Sequence, residues 1–219
     1  AIGCSAQASF DLTLILEAGG GGVHRVDPIT GAYFGSFAKG WLSNPQDMAI
    51  NQNTGEAYVL EDFATAGGDR VLKFDYNTGA FKGFFSTGLT TANKIAIASD
   101  GSLLVAGTSV GIRRYNTAGS LVLSYGGSNT YNGIAEVNGY VVGFVNNTGV
   151  TNFNRTTGSV VQNLAASYYP MVGNLAVRGN SYWWIGTDSG NHNFFSGNTV
   201  NSSGQTINLD AGFFNTNPA

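Results

Sequence analysis

VLKFDYNTGAFKGFF, residues Val71 to Phe85, decides the fold. An alternating strand ends on Phe74, the run Asp75-Tyr76-Asn77-Thr78-Gly79 reverses the chain, and a second apolar strand follows from Ala80. The same pattern occurs as VHRVDPITGAYFGSF (Val23 to Phe37), IRRYNTAGSLVLSY (Ile112 to Tyr125) and VTNFNRTTGSVVQNL (Val150 to Leu164). A degraded copy, HNFFSGNTVNSSGQTINL, runs from His192 to Leu209. In the four clear copies Asp27, Asp75, Asn116 or Asn154 opens the turn, where a short polar side chain caps backbone N–H groups. Gly31, Gly79, Gly119 or Gly158 closes it, where a bulged turn wants a left-handed residue.

A second, tighter hairpin precedes the later copies. MAI and AYVL flank NQNTG, and three further pairs turn at Asp100-Gly101, Asn138-Gly139 and Gly179-Asn180. Such dipeptides between apolar runs signal two-residue hairpins, because the turns need positive φ. Each complete repeat is therefore a four-stranded meander, with strands a, b, c and d. The turn glycines recur at intervals of 39 to 48 residues, close to the length of a propeller blade. The reading is an all-β, five-bladed β-propeller of four-stranded antiparallel blades in one domain, 1–219. Its blades fall at approximately 9–38, 45–86, 93–126, 132–165 and 173–209. Radial repetition buries each sheet face on its neighbour and leaves few edges.

Composition fits that reading. With 42% hydrophobic residues among 219, the chain can bury a sizeable core. Only 11% of residues are charged, and 32 glycines with abundant Asn, Ser and Thr give a polar, nearly uncharged surface. This suits a secreted or cell-surface protein. The net charge of −3 provides no basic patch, so nucleic acid is not expected as a partner. No apolar run approaches the ~20 residues of a transmembrane segment. Cys4 is the single cysteine, which excludes an intrachain disulfide and a cysteine-based zinc site. Near it, Ala6-Gln7-Ala8 has the form of a signal-peptidase site, Ala1 to Cys4 has a weak lipobox form, and both compete with an ordinary strand.

NPQDMAINQNTGEAYVLED followed by GGDRVLKFDYNTGAFKGFFSTG resembles an NHL repeat. Pro45, Tyr58-Val59, Asp62, Arg70 and Phe74 stand where that family places its proline, its Tyr-Val-x-Asp strand and its Arg-hydrophobic-x-x-Phe strand. The resemblance weakens along the chain, since the third to fifth repeats lack the aligned proline and the strand-b aspartate. The opening SFDLTLILEAGGGGVHRVDPITGAYFGSF is similar to exported bacterial propellers of the PEP-CTERM type, although their Val-Pro-Glu-Pro sorting motif is absent. These resemblances imply a propeller and export.

The first repeat offers strands b, c and d but no convincing strand a. Asn217-Pro218 echoes the Asn44-Pro45 that introduces strand a of the second repeat. Either the termini, 1–8 and 210–219, close blade one, or they pair with another subunit and build a filament.

The irregular segments gather on the face holding the b–c and d–a loops, and loops on a rigid scaffold commonly bind ligands. Trp41, Glu61, Asp62, Tyr131, Tyr168, Tyr169 and Asp188 are the candidate ligand-binding residues there. Aromatics among Asn and Asp suit stacking on sugars; the competing reading is that they lid the core. Glu61-Asp62 can be read as an acid/base pair, a calcium ligand or a solvated strand end, but neighbours on a strand face opposite ways. His24 and His192 open strand c of the first and fifth repeats and form only a weak metal site, for which Glu17 or Asp188 would be the third ligand. No cofactor is expected. Asn146, Asn154 and Asn201 open N-glycosylation sequons, which arise often by chance in so Asn-rich a chain. No nucleophile elbow marks a hydrolase, and the innermost strands, read as MAI, IAI, IAE and LAV, carry only Glu136 as a charge.

The function expected is a non-catalytic, exported scaffold or binding module at the cell surface or in extracellular matrix. It would meet protein or carbohydrate through the loop-rich face. The alternatives are a strand-donating filament subunit, self-associating through blade one or the termini, and a glycan hydrolase or lyase.

Overall fold

The turns behave as their side chains dictate. Asp27 Oδ1 accepts the N–H groups of Ile29 and Thr30 at 2.7 and 3.0 Å, and Asp75 Oδ1 accepts those of Asn77 and Thr78. Asn116, Asn154 and Asn201 cap their own turns in the same way. The closing Gly31, Gly79, Gly119 and Gly158 have φ of 72, 75, 87 and 73°. In each clear copy the register shifts beside the turn, where strand d carries one more residue than strand c, a β-bulge.

The computed structural model describes residues 12–19, 21–63, 68–145, 149–165, 175–187 and 193–208. Among these, every regular element is a strand, and five antiparallel sheets follow one another in chain order. The first has three strands, β1 (Thr13–Glu17), β2 (Gly22–Val26) and β3 (Tyr33–Phe37). The second holds β4 (Pro45–Asn51), β5 (Glu56–Glu61), β6 (Arg70–Asp75) and β7 (Phe81–Ser86). The third holds β8 (Ala92–Ile97), β9 (Leu103–Gly107), β10 (Ile112–Tyr115) and β11 (Leu121–Tyr125). The fourth is β12 (Gly133–Val137), β13 (Tyr140–Val145), β14 (Gly149–Asn154) and β15 (Val160–Ala165). The fifth is β16 (Ala176–Arg178), β17 (Ser181–Thr187), β18 (Asn193–Val200) and β19 (Thr206–Asn208).

Four apolar clusters join consecutive sheets face to face, as in a propeller. Leu14, Leu16 and Val23 of the first sheet meet Ala57, Val59, Leu72 and Phe74 of the second. Tyr58, Leu60 and Val71 point the other way, onto Leu103, Val105 and Tyr115. Leu104, Ala106 and Ile112 meet Ile134, Val141 and Phe153, while Val142, Phe144 and Val150 meet Leu175, Tyr182 and Val200. The b strands are apolar without interruption for this reason: alternate residues serve different interfaces and both faces are covered. Each fully buried Leu, Val or Phe contributes about 1.5–3 kcal/mol of transfer free energy.

A polar device repeats at the same interfaces. The residue two before each turn opener donates to a carbonyl in the next sheet's c–d turn. Arg25 Nη1 reaches Asn77 O at 2.5 Å, Lys73 Nζ reaches Thr117 O at 3.2 Å, and Arg114 Nη1 reaches Arg155 O at 3.4 Å. Asn152 Nδ2 reaches Gly204 O at 2.9 Å. The turn glycine completes the fit, because a Cβ on Gly79 or Gly119 would strike Phe37 or Phe85 of the preceding sheet.

The innermost strands differ from expectation. β4 and β8 begin earlier than the MAI and IAI runs and are bulged at Pro45/Asp47 and Ala92/Lys94, which adds Asp47 and Lys94. Arg178 ends β16. Glu136 is therefore not their only charge. Alternation hid the bulges, since an inserted residue breaks the period that defines a strand in sequence.

Candidate functional site

The d–a connection from Ala38 to Asn44 sets up the most exposed aromatic surface near the candidate residues. Ala38 and Gly40 take positive φ of 63 and 81°, and buried Leu42 anchors the loop in the first–second interface. Trp41 is left 49% exposed, with one ring face stacked on Phe81 at 4.0 Å and 18°. Phe81 is held in turn by Phe74 at 5.6 Å, so the shelf rests on the core. Exposed Phe84 lies further along the same edge strand, β7.

Arg70, which opens β6, ties the shelf together. Its guanidinium lies 3.8 Å from the Phe63 ring centroid and 5.7 Å from that of Phe84, and its Nη2 donates to Trp41 O at 3.2 Å. Its Nε donates to Glu61 Oε2 at 2.5 Å. Glu61 is 0% exposed, and its Oε1 accepts the Ser43 N–H, the Ser43 hydroxyl at 2.8 Å and the Asn44 N–H at 3.4 Å. Burial raises the Glu61 pKa, but the Ser43 N–H, the Arg70 guanidinium and the Ser43 hydroxyl outweigh it and hold the carboxyl below its ordinary value. Glu61 is neither a solvated strand end nor an open ligand group. It fastens the incoming loop to β5.

Asp62 faces differently, as expected of a neighbour, accepting from Asn44 Nδ2 at 2.9 Å. Asp69, unflagged by sequence, accepts the Phe63 and Ala92 N–H groups at 3.3 and 2.5 Å and fastens the second sheet to the third. Burial pushes its pKa up, with the charge of Asp62 adding to the rise. Asp47 accepts the N–H groups of Met48 and Ile95, both at 3.0 Å, linking the innermost strands β4 and β8; burial pushes its pKa up. Asp47 and Asp69 leave no side-chain signature in the sequence, because the donors they accept from are backbone amides.

Tyr131 lies away from the shelf and is 0% exposed. Its ring meets Phe153 edge-on at 6.1 Å, and the space it fills is left by Gly126 and Gly143, whose Cβ atoms would collide with it. It is a core residue of the third–fourth interface, which departs from the expectation of a surface ligand group. A cavity of about 350 Å³ lies nearby, lined by Asn129, Val145, Gly149, Val150, Thr151, Asn163 and Leu164.

His24 bonds Glu17 Oε2 through Nε2 at 3.0 Å and the Tyr33 hydroxyl through Nδ1 at 3.2 Å. Among the described residues no group of three or more His, Cys, Asp or Glu is placed to hold a metal ion. Tyr168, Tyr169, Asp188, His192 and Asn146 lie outside the described residues. Asn154 and Asn201 use their side-chain oxygens as turn caps. No helix among the described residues is long and apolar enough to cross a membrane.

No protein-family model matches the chain, and no curated protein matches it in sequence. Its similarity is to solved structures. A chain of Kuenenia stuttgartiensis hydrazine synthase superposes with a TM-score of 0.71 at 17% identity, over 92% of this chain and 64% of that one. A chain of the mitotic checkpoint complex gives 0.62 at 15% identity, over 87% and 61%. The computationally designed Ika4 protein gives 0.51 at 13% identity, over 70% and 90%. The chain thus spans less than two thirds of the first two. At these identities the likeness establishes a β-propeller-like fold and nothing about activity.

Proposed function

We propose that this chain is a non-catalytic binding module, a propeller of five NHL-like sheets exported to the cell surface or extracellular matrix. Its ligand is carbohydrate, taken on the Trp41 shelf. The observation that carries this reading is the ring of Trp41, braced on one face by Phe81 and half exposed on the other. A flat, rigid indole, linked through Arg70 to the exposed Phe84, offers apolar area to a sugar face at little entropic cost. Asn44, Asp62 and Gln46 supply neutral and acidic hydrogen-bonding groups close by.

A glycan-cleaving reading draws on Asp47, the innermost acid with a raised pKa. Its two oxygens, however, already accept backbone N–H groups. Support for binding over cleavage comes equally from Glu61 and Asp69, whose carboxylates are engaged within the chain.

The test is calorimetric titration with neutral and acidic oligosaccharides, for the native protein and Trp41→Ala, with unchanged thermal unfolding as the folding control. Loss of one aromatic stack costs about 1–2 kcal/mol, or roughly 5- to 30-fold in Kd. A panel with no ligand, or a Trp41→Ala protein that binds as well, overturns the reading. Product release from any oligosaccharide, abolished by Asp47→Asn, would favour the enzyme.

A further inference from the structure

Strand register makes the second and fourth sheets comparable residue by residue. Leu72 and Thr151 each stand three places before the turn opener, and they pair with Phe84 and Asn163. Towards the b–c end of the same strands, Glu61 pairs with Arg70 in the second sheet and Val145 with Gly149 in the fourth. In the second sheet this place is filled, because the Glu61 carboxylate and the Arg70 guanidinium lock onto each other and onto the Trp41–Ser43 loop. The third sheet holds Gly107 and Gly111 there, and main chain closes over both: an added Cβ would strike Thr91 O or Gly127 O. The fourth sheet has neither device. Val145 and Gly149 lack the bulk and charge of Glu61 and Arg70, and the cavity of about 350 Å³ opens at this place.

Its polar groups are few and oriented. Thr151 Oγ1 donates to Asn163 Oδ1 at 2.9 Å, which fixes that amide and leaves its Nδ2 to donate elsewhere. Asn129 Nδ2 donates to the Tyr131 hydroxyl at 3.4 Å, which leaves Asn129 Oδ1 to accept. Tyr131 is itself immobilised in the core against Phe153, so Asn129 is held from below. Neither Asn163 Nδ2 nor Asn129 Oδ1 has a hydrogen-bond partner among the described residues. The rest of the lining, Val145, Gly149, Val150 and Leu164, carries no polar side chain. No lining residue is charged, so an ionic ligand would lose hydration there without a countercharge. One donor, one acceptor and an otherwise apolar wall match an acetamido group, which offers a carbonyl, an N–H and a methyl. The volume lies at the small end of ligand pockets, suited to one ring rather than a chain of them.

We propose that this cavity binds a single 2-acetamido sugar residue, with the acetamido group between Asn163 Nδ2 and Asn129 Oδ1 and the sugar hydroxyls towards the open side. Asn129 and Asn163 are both exposed at that side, which gives the hydroxyls polar neighbours. The site shares no residue with the Trp41 shelf and belongs to a different pair of sheets, so the two stand or fall separately.

The test is saturation-transfer NMR titration of the whole chain with three probes: the methyl glycoside of N-acetylglucosamine, methyl glucoside, and N-acetylglycinamide. The acetamido sugar binds, and methyl glucoside, which lacks both hydrogen-bonding groups of the acetamide, binds about 5- to 100-fold more weakly. N-acetylglycinamide, with the acetamide but no ring, is also weaker than the acetamido sugar. Asn163→Phe installs the residue that the second sheet carries at this exposed place and abolishes binding. Asn129→Ala weakens it roughly 2- to 10-fold and keeps the loop's backbone bonds. Trp41→Ala leaves it unchanged, which separates this site from the shelf. Native far-UV circular dichroism qualifies each variant, and the comparison of probes on the wild-type protein needs no variant. No binding of the acetamido sugar by the wild-type chain overturns the proposal, as does equal affinity for methyl glucoside. Equal affinity for N-acetylglycinamide overturns the assignment to a sugar. Wild-type affinity in folded Asn163→Phe, or a loss in Trp41→Ala, overturns the location.

Discussion

Replacing Gly79 with alanine, beside the same change at Gly31, measures how much of the stability lies in sheet stacking. Both residues close an Asx turn at nearly equal φ, 75 and 72°. The backbone cost of a left-handed alanine is therefore shared, at about 1–2 kcal/mol. Their surroundings differ. The new Cβ at position 79 would strike the Cβ and ring of Phe37, which is buried and held against Phe74 at 5.4 Å. Overpacking of that kind adds about 1–3 kcal/mol. At position 31 the Cβ meets no described residue. Gly31→Ala should thus lose about 1–2 kcal/mol and Gly79→Ala about 2–5. For a chain of this length each kcal/mol lowers Tm by roughly 2–4 °C. The assay is urea unfolding followed by circular dichroism. Equal losses at the two sites would refute the stacking argument. A larger loss at Gly31 would show that its turn is covered.

Other consequences are open to measurement. Glu61→Ala should cost about 3–5 kcal/mol by stranding Arg70 beside a buried void, while Asp62→Ala, on the outward side, should cost under about 1; comparable losses would refute the distinction. Folded-state pKa values of Glu61, Asp75 and Asp100 are lowered, so their stabilisation is complete above the unfolded carboxylate range and lost as pH falls through the folded values. Unfolding free energy should accordingly drop below about pH 4, less steeply in Glu61→Gln. Asp47 carries the opposite sign: its raised folded value makes stability fall as pH climbs from the unfolded towards the folded pKa, a slope that Asp47→Asn should remove. Arg114→Ala breaks contacts with Asp100, Ser102 and the Arg155 carbonyl, and should cost about 1–3 kcal/mol, with Arg114→Lys recovering part of it.

Much of the architecture was legible in the chain because turn chemistry is local. Asp75 and Gly79 are four residues apart, and the bonds that one makes and the φ that the other adopts depend on little else. Five hairpins and the chain-order succession of antiparallel sheets followed from such signals. The site was less legible. Glu61 and Tyr131 carry the residue types of a binding loop, and only packing shows that one is enclosed by Ser43 and Arg70 and the other by Gly126 and Gly143.

Sequence alone determined which segments become strands, where they turn and in what order the sheets follow. The tertiary structure decided which acids fasten loops and that Trp41 stays open while Tyr131 does not. The physical reason is range. Turn capping and strand alternation are set within a few residues, whereas burial depends on which surface another sheet, dozens of residues away, comes to cover.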